Sequence, residues 1–440
     1  MALVFDTLRR VSSWLRRRPV RAIGVALVGA AMLCAGCGPE RRGRVFVIGI
    51  DGATMRLAQP LIDAGQLPNL ARIAAEGASG PLRSQLPLLS PRVWNTIATG
   101  KSPEAHGVTS FAREGADGVR RLLSSHDRRV HALWNIASDA GLSVAVIGWW
   151  NTYPPEKIRG VMASDHLIAE DIAGRENITR AISDASGPRV HPETWEPRLV
   201  SILESPEPAV EFPDPFAGNT ELPKWVNSSR LSMYFENDAV LTRMAVEIDR
   251  ELRPDLLMVL LTGVDRVSHV LWGTLEPPDA YPAFLRPSPQ GRAAGAAALR
   301  SYYAYTDALI GRILELAGPG DLVLVLSDHG FAAGHALKTI TGMHETEEAV
   351  DGVLFARGPG IEPGASTQGT SILDVTPTIL TWLGIPAGRD MEGRVATFLD
   401  RTPPEPIDTH DVGPVERLGT APSGADEVLL ERLRALGYFE

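Results

Sequence analysis

Cysteine is almost absent. The 440 residues hold two, Cys34 and Cys37, and both precede residue 38. The body of the chain therefore has no disulfide, no thiol nucleophile and no thiolate metal ligand. Positive charge is also scarce: 43 Lys and Arg stand against 53 Asp and Glu, a net charge of -10. That excludes a surface built to coat nucleic acid. Internal repeats and long low-complexity tracts are missing too. What remains is an ordinary globular composition, long enough for two or three domains or for one large α/β domain with an insertion.

The amino terminus is a different material. Arg9, Arg10, Arg16, Arg17, Arg18 and Arg21 precede an apolar run from Ala22 to Gly36. A basic segment before a short apolar one reads as an export signal. The uncharged stretch from Ala22 to Gly38 is near the shortest length that spans a bilayer, so a retained anchor is the other reading. Cys34-Ala-Gly-Cys37 resembles the lipobox of bacterial lipoproteins, although Cys34 stands where that motif has an aliphatic residue. The resemblance implies a lipidated Cys37 and an exported envelope protein held at a membrane surface. The expected division is a signal over 1–37, a catalytic α/β core over 38–160 and 250–400, a cap insertion over 161–249, and a tail over 401–440 with a short helix near 425–436.

The chain's chemistry is concentrated where apolar runs stop. Leu322-Val-Leu-Val-Leu-Ser327 ends on Asp328-His329-Gly330. A run of that kind reads as a parallel strand covered on both faces, and an acid beside an imidazole at its end is costly without a partner. Val45-Phe-Val-Ile-Gly-Ile50 ends on Asp51-Gly52, and Leu256-Leu-Met-Val-Leu-Leu261 leads to Asp265 with His269 four residues on. Ligands in open α/β sheets bind at the carboxyl ends of strands. One such acid is explained equally well as a helix cap; three at equivalent ends, two with histidines, point to a metal or catalytic corner. Strand and helix patterns alternate, so a mainly parallel central sheet with helices on both faces is expected.

Ser90-Pro91 opens a short helical pattern closed by Gly100, with Ser90 expected at the N-cap and Pro91 at the first helical position. A serine there meets the positive end of the helix dipole and is a candidate nucleophile beside a metal. His106 alone reads as structural. Trp149 to Pro155 is a loop whose aromatics either line a pocket or pack beneath it. His335 and His344 lie downstream of Asp328-His329. Oxygen and imidazole donors in this number suit two ions of Zn, Mn or Fe type, about 4 Å apart, as in enzymes that clamp a phosphoryl group.

In their order, Val47-Ile-Gly-Ile-Asp-Gly52, Leu67-Pro-Asn-Leu70, Ser90, Ala98-Thr-Gly100, Pro103-Glu-Ala-His-Gly107, Asp265 with His269, and Ser327-Asp-His-Gly330 resemble the alkaline phosphatase superfamily. Within it the chain is most similar to the type I phosphodiesterase / nucleotide pyrophosphatase family, over about Val45 to Gly393. The resemblance implies that fold, two divalent ions (zinc, with manganese the alternative), and hydrolysis of a small-molecule or lipid phosphate ester through a phosphoserine. It implies one ion held by Asp51, Ser90, Asp328 and His329, and the other by Asp265, His269 and a later histidine, His344 with His335 in reserve. Many nucleotide-hydrolysing members carry an Asn just after the motif matching His106-Gly107, where this chain has Val108-Thr-Ser-Phe111. That departure puts a nucleotide substrate in question. The rival readings are a sulfatase or phosphotransferase on the same fold, or a non-catalytic, surface-tethered metal-binding protein. Ser90-Pro-Arg-Val lacks the Cys/Ser-x-Pro-x-Arg spacing that sulfatases need.

Overall fold

The three apolar runs that end on an acid are adjacent parallel strands. The computed structural model describes residues 43–418 apart from 116–117, 119, 168–186, 206–213, 219–220 and 337–338. The export and lipobox segment and the helix expected near 425–436 lie outside the described residues. Among those described, no helix is long and apolar enough to cross a membrane.

The strands are β1 (Val45–Ile50), β2 (Ala78–Arg83), β3 (Ala112–Glu114), β4 (Arg120–Leu122), β5 (Val144–Ile147), β6 (Gly160–Ala163) and β7 (Val190–His191). They continue with β8 (Leu256–Leu261), β9 (Leu322–Leu326), β10 (Ala332–Ala336), β11 (Ile340–Met343), β12 (Asp351–Arg357) and β13 (Ala365–Ser366). One nine-stranded sheet runs β13-β2-β12-β9-β1-β8-β5-β6-β7. Its middle, β9-β1-β8-β5-β6, is parallel throughout. Towards the edges, β12 pairs antiparallel with β9 and β2, and β7 with β6.

Alternation within the strands explains why both faces are covered. Phe46, Ile48 and Ile50 join Leu257, Val259, Leu261, Val323 and Val325 in one core, and Val45, Val47, Leu256, Met258, Leu260, Leu322, Leu324 and Leu326 form the other. On the first face lie α1 (Met55–Asp63), α2 (Pro68–Glu76), and, further along, α6 (Ser228–Leu252), α7 (Gly263–Leu271) and α8 (Pro289–Leu314). On the second lie α3 (Ser90–Thr99), α4 (Leu133–Asp139) and α9 (Val375–Leu383). A short helix, α5 (Glu196–Glu204), precedes α6. Each face thus receives a period-2 strand surface and period-3.6 helix stripes, the three-layer arrangement expected of parallel sheets.

Two local readings differ. Residues 161–249 were expected as a cap, yet β6 and β7 extend the sheet and α6 buries Leu231, Phe235, Leu241, Met244 and Ile248 in the core. The short strands there are hidden in sequence by the polar residues around them. Helix α1, capped by the Thr54 side chain on Arg56 N, follows β1 where the sequence from Gly52 to Leu67 by itself reads as a loop.

Candidate metal and nucleophile site

Parallel register brings the acids together. Because Ile50 lies beside Leu261 and Gly49 beside Leu326, the three strands stop at one level. Asp51 follows β1, Asp328 and His329 follow β9, and Asp265 and His269 occupy the first and second turns of α7, which starts directly after β8. Gly52 has φ +74°, and a Cβ there would meet the Phe331 ring at 2.6 Å and Asp265 Cα at 3.0 Å. A left-handed glycine is what lets the chain turn away so close to Asp265. All of these side chains are buried, as are Ser90 and His344.

Their contacts define the chemistry. His329 Nε2 is 3.4 Å from Asp51 Oδ1 and 3.5 Å from Asp328 Oδ2. His269 Nε2 is 3.4 Å from Asp265 Oδ1, and His344 Nε2 is 3.9 Å from it. The ring tautomers follow from the other nitrogens. His329 Nδ1 lies 3.0 Å from the Gly330 carbonyl and His269 Nδ1 2.9 Å from the Gly342 carbonyl. A carbonyl only accepts, so each Nδ1 carries the hydrogen and each neutral ring turns a bare Nε2 lone pair towards carboxylate oxygens. Burial opposes protonation of these rings: it lowers His329, and it lowers His269 to about 4. His344 is pushed down by burial and then by His329 and His269.

Lone pairs therefore face negative oxygens. Asp328 is pushed well up by burial, then by Asp51 and Asp265; Asp265 is pushed up by burial and then by Asp51. Among the described residues, buried Asp265 Oδ1, Asp328 Oδ2 and His329 Nε2 find no hydrogen-bond partner. Carboxylates and imidazoles with this geometry fit divalent cations of the zinc or manganese class. Donor atoms of Asp265, His269 and His344 all lie within 4.8 Å of one another, and so do those of Asp51, Asp265 and His329. Asp265 is common to the two groups. His344 thus joins the cluster, whereas His335 is exposed on β10.

Ser90 stands at the edge of this cluster, its Oγ 3.5 Å from Asp51 Oδ1. The helix begins one residue earlier than expected: Leu89 occupies the N-cap and Ser90 the first helical position. The Ser90 side chain is thereby spared from capping and turned to Asp51. His106 lies apart from the cluster; its Nε2 reaches Thr96 Oγ1 at 3.1 Å and its Nδ1 accepts from Val108 N.

A model of one family matches residues 45–368, described as type I phosphodiesterase / nucleotide pyrophosphatase. This chain belongs to that family. No curated protein matches the sequence. Among solved structures, the wild-type alkaline phosphatase PafA is similar at TM-score 0.56 and 12% identity, over 82% of this chain and 100% of that one. A 2-O GAG sulfatase is similar at TM-score 0.53 and 15% identity, over 81% and 73%. A phosphonoacetate hydrolase from Sinorhizobium meliloti 1021 has TM-score 0.41 and 19% identity; the match takes in 67% of this chain but only 58% of the hydrolase's length. The first two likenesses carry the fold: this phosphodiesterase / pyrophosphatase family member shares its architecture with an alkaline phosphatase and a sulfatase.

Of the other residues around the site, Trp150 lies in the aromatic loop that the sequence offered as a pocket lining or as packing, whereas Trp94 and Asp238 gave no signal. Trp94 Nε1 and Trp150 Nε1 both donate to Asp51 Oδ2, at 3.2 and 3.3 Å. Asp238 on α6 accepts from Thr262 N and Gly263 N at 3.2 Å each, and from Tyr302 Oη at 2.9 Å. It caps the helix that carries Asp265 and His269, and burial pushes its carboxyl up to about 7. Tryptophan in an apolar stretch reads as core, and an acid inside a helix of 25 residues reads as surface.

Proposed function

We propose that the protein hydrolyses phosphate esters, phosphodiesters foremost, with Ser90 as the nucleophile. The observation that carries this reading is a buried hydroxyl 3.5 Å from Asp51, in a cluster where three buried carboxylates have imidazoles as their only ion-pair partners among the described residues. Such a cluster binds cations, and the family is one of phosphate-ester hydrolases. Asp51, Ser90, Asp328 and His329 would hold one divalent ion and Asp265, His269 and His344 the other, zinc or manganese. When bound, the pair supplies positive charge to the attacking and leaving oxygens of an in-line displacement.

The chain's own groups do the rest. Ser90 lies in the first turn of α3, where the helix dipole favours an alkoxide and the anionic phosphoryl group. Its Oγ attacks phosphorus, the alcohol leaves, and water then cleaves the phosphoseryl ester. The Val108-Thr-Ser-Phe111 segment offers no Asn to a phosphoryl oxygen, so a nucleotide is not the substrate we favour. We further propose that residues 22–36 direct export and that lipidated Cys37 holds the body at a membrane of the bacterial envelope, facing small-molecule or lipid phosphate esters.

Ser90→Ala decides the central point. Turnover of a chromogenic phosphodiester should fall by about a thousandfold or more, with metal content and thermal melt close to wild type. Full activity in that variant would reject Ser90 as nucleophile. Sulfate esters should be turned over poorly by the wild type in the same assay.

A further inference from the structure

Asp51 is approached from opposite sides by two kinds of group. Its Oδ2 receives two indole N–H donors, from Trp94 at 3.2 Å and Trp150 at 3.3 Å. Its Oδ1 faces Ser90 Oγ at 3.5 Å and His329 Nε2 at 3.4 Å. An indole is a donor without charge. It fixes the rotation of a carboxylate yet leaves the negative charge in place. A lysine or arginine there would cancel the charge that a cation needs.

Both donors are held from outside the site. Trp94 is four residues after Ser90 on α3, so the two side chains share one face of the helix. The Trp94 ring is wedged edge-on against Trp149 at 5.0 Å, and the Trp149 indole donates back to Trp94 O. Trp150 is carried by a loop whose next residue, Asn151, has φ +58°. Asn151 holds that conformation through three hydrogen bonds: its N donates to Asp165, its Nδ2 to Leu123 O, and its Oδ1 accepts from Asn95 Nδ2. Asn95 is on α3 as well, so the helix with the nucleophile and the loop with Trp150 are tied to each other.

We infer that Trp94 and Trp150 are positioning residues that clamp Asp51 through Oδ2, present Oδ1 alone to the divalent ion beside Ser90, and make tryptophan emission a reporter of that ion. The inference rests on the two-ion reading above. Its test uses the full chain and Zn²⁺ alone, followed by calorimetry and by tryptophan fluorescence. The wild type should bind two Zn²⁺ and change its emission as the Asp51 ion binds. Trp150→Phe should weaken one of the two ions by about ten- to a hundredfold, leave the other unchanged, and lose most of the emission change. Trp150→His, which restores a ring N–H, should recover part of the affinity; because Trp150 is only half-buried, both variants are expected to fold. Wild-type affinity for both ions in Trp150→Phe would overturn the clamp while leaving the two-ion reading intact. A wild type that binds no Zn²⁺ would overturn both.

Discussion

The protein buries two clusters of charged side chains, and they follow opposite rules. Around Glu156 both carboxylate oxygens are answered. Arg128 and Glu156 are both fully buried and ion-paired. Glu156 also accepts from Trp134 Nε1 at 2.6 Å and Asn135 Nδ2 at 3.1 Å, with Arg417 Nε 3.6 Å away. The Arg128 guanidinium lies over the Trp134 ring at 4.8 Å, and Arg417 donates to the carbonyls of Ser125 and Arg128. At the carboxyl end of the sheet, by contrast, Asp51, Asp265 and Asp328 have only histidines as ion-pair partners among the described residues. The first cluster fastens Arg417 to the body; the second has charge left over. A buried acid with complete partners is architecture, and one without them marks where a ligand's charge belongs.

The sharpest way to break the comparison is to open the closed cluster. Arg128→Met leaves Glu156 buried without its nearest cation, which should cost about 3–5 kcal/mol in urea unfolding. A loss below about 1 kcal/mol would mean that Arg417 and the two neutral donors suffice, and that the two clusters differ less than their geometry suggests.

Neutralising an acid in the open cluster should do the reverse. In chelator, Asp328→Asn relieves repulsion with Asp51 and Asp265 and should raise stability by about 1–3 kcal/mol. With Zn²⁺ at a thousand times its Kd, the wild type should gain about 4 kcal/mol and the variant much less. The two melting curves should therefore exchange order when Zn²⁺ is added, while hydrolysis in the variant falls at least about a hundredfold. A variant less stable than wild type in chelator as well would show that Asp328 is needed by the fold itself.

The contrast between the clusters also separates what the sequence discloses from what it hides. Asp51, Asp265 and Asp328 are legible because an apolar strand that stops on an acid breaks a strong pattern, and parallel strands stop at one end of the sheet. His344 is less legible: nothing in its spacing distinguishes it from His335, and only the fold separates them, with His335 exposed on β10 and His344 buried just past β11. The clamp on Asp51 is illegible. Trp94 and Trp150 satisfy the core pattern first, and the Nε1 direction that matters depends on an Asn151 backbone that no local pattern announces. The same holds for Asp238, whose role depends on α6 lying against the start of α7, a contact between residues more than twenty positions apart. Short strands such as β7 vanish for a different reason: two residues are too few to show a period.

His106 gives the finest test, because it belongs to the closed side of the comparison while being titratable. Its Nδ1 accepts from Val108 N, so its Nε2–H donates to Thr96 Oγ1. Protonation would place a second hydrogen on Nδ1, opposite the Val108 N–H. Burial, and then the charges of Arg128 and Arg92, push its pKa down to about 3. The unfolded chain takes up the same proton near 6.5. Between these values the unfolded state binds more protons, so stability falls as pH falls, reaching a loss of about 1.4 kcal/mol from this group by pH 5.5. His106→Gln keeps an acceptor and a donor but cannot titrate. Denaturant unfolding at pH 7.0, 6.0 and 5.5, in chelator, should show a shallower acid loss in the variant; His269, His329 and His344 contribute equally to both proteins and cancel. Parallel pH profiles would mean that folded His106 takes up its proton as readily as the unfolded chain does, so that burial and the two arginines have no net effect on it.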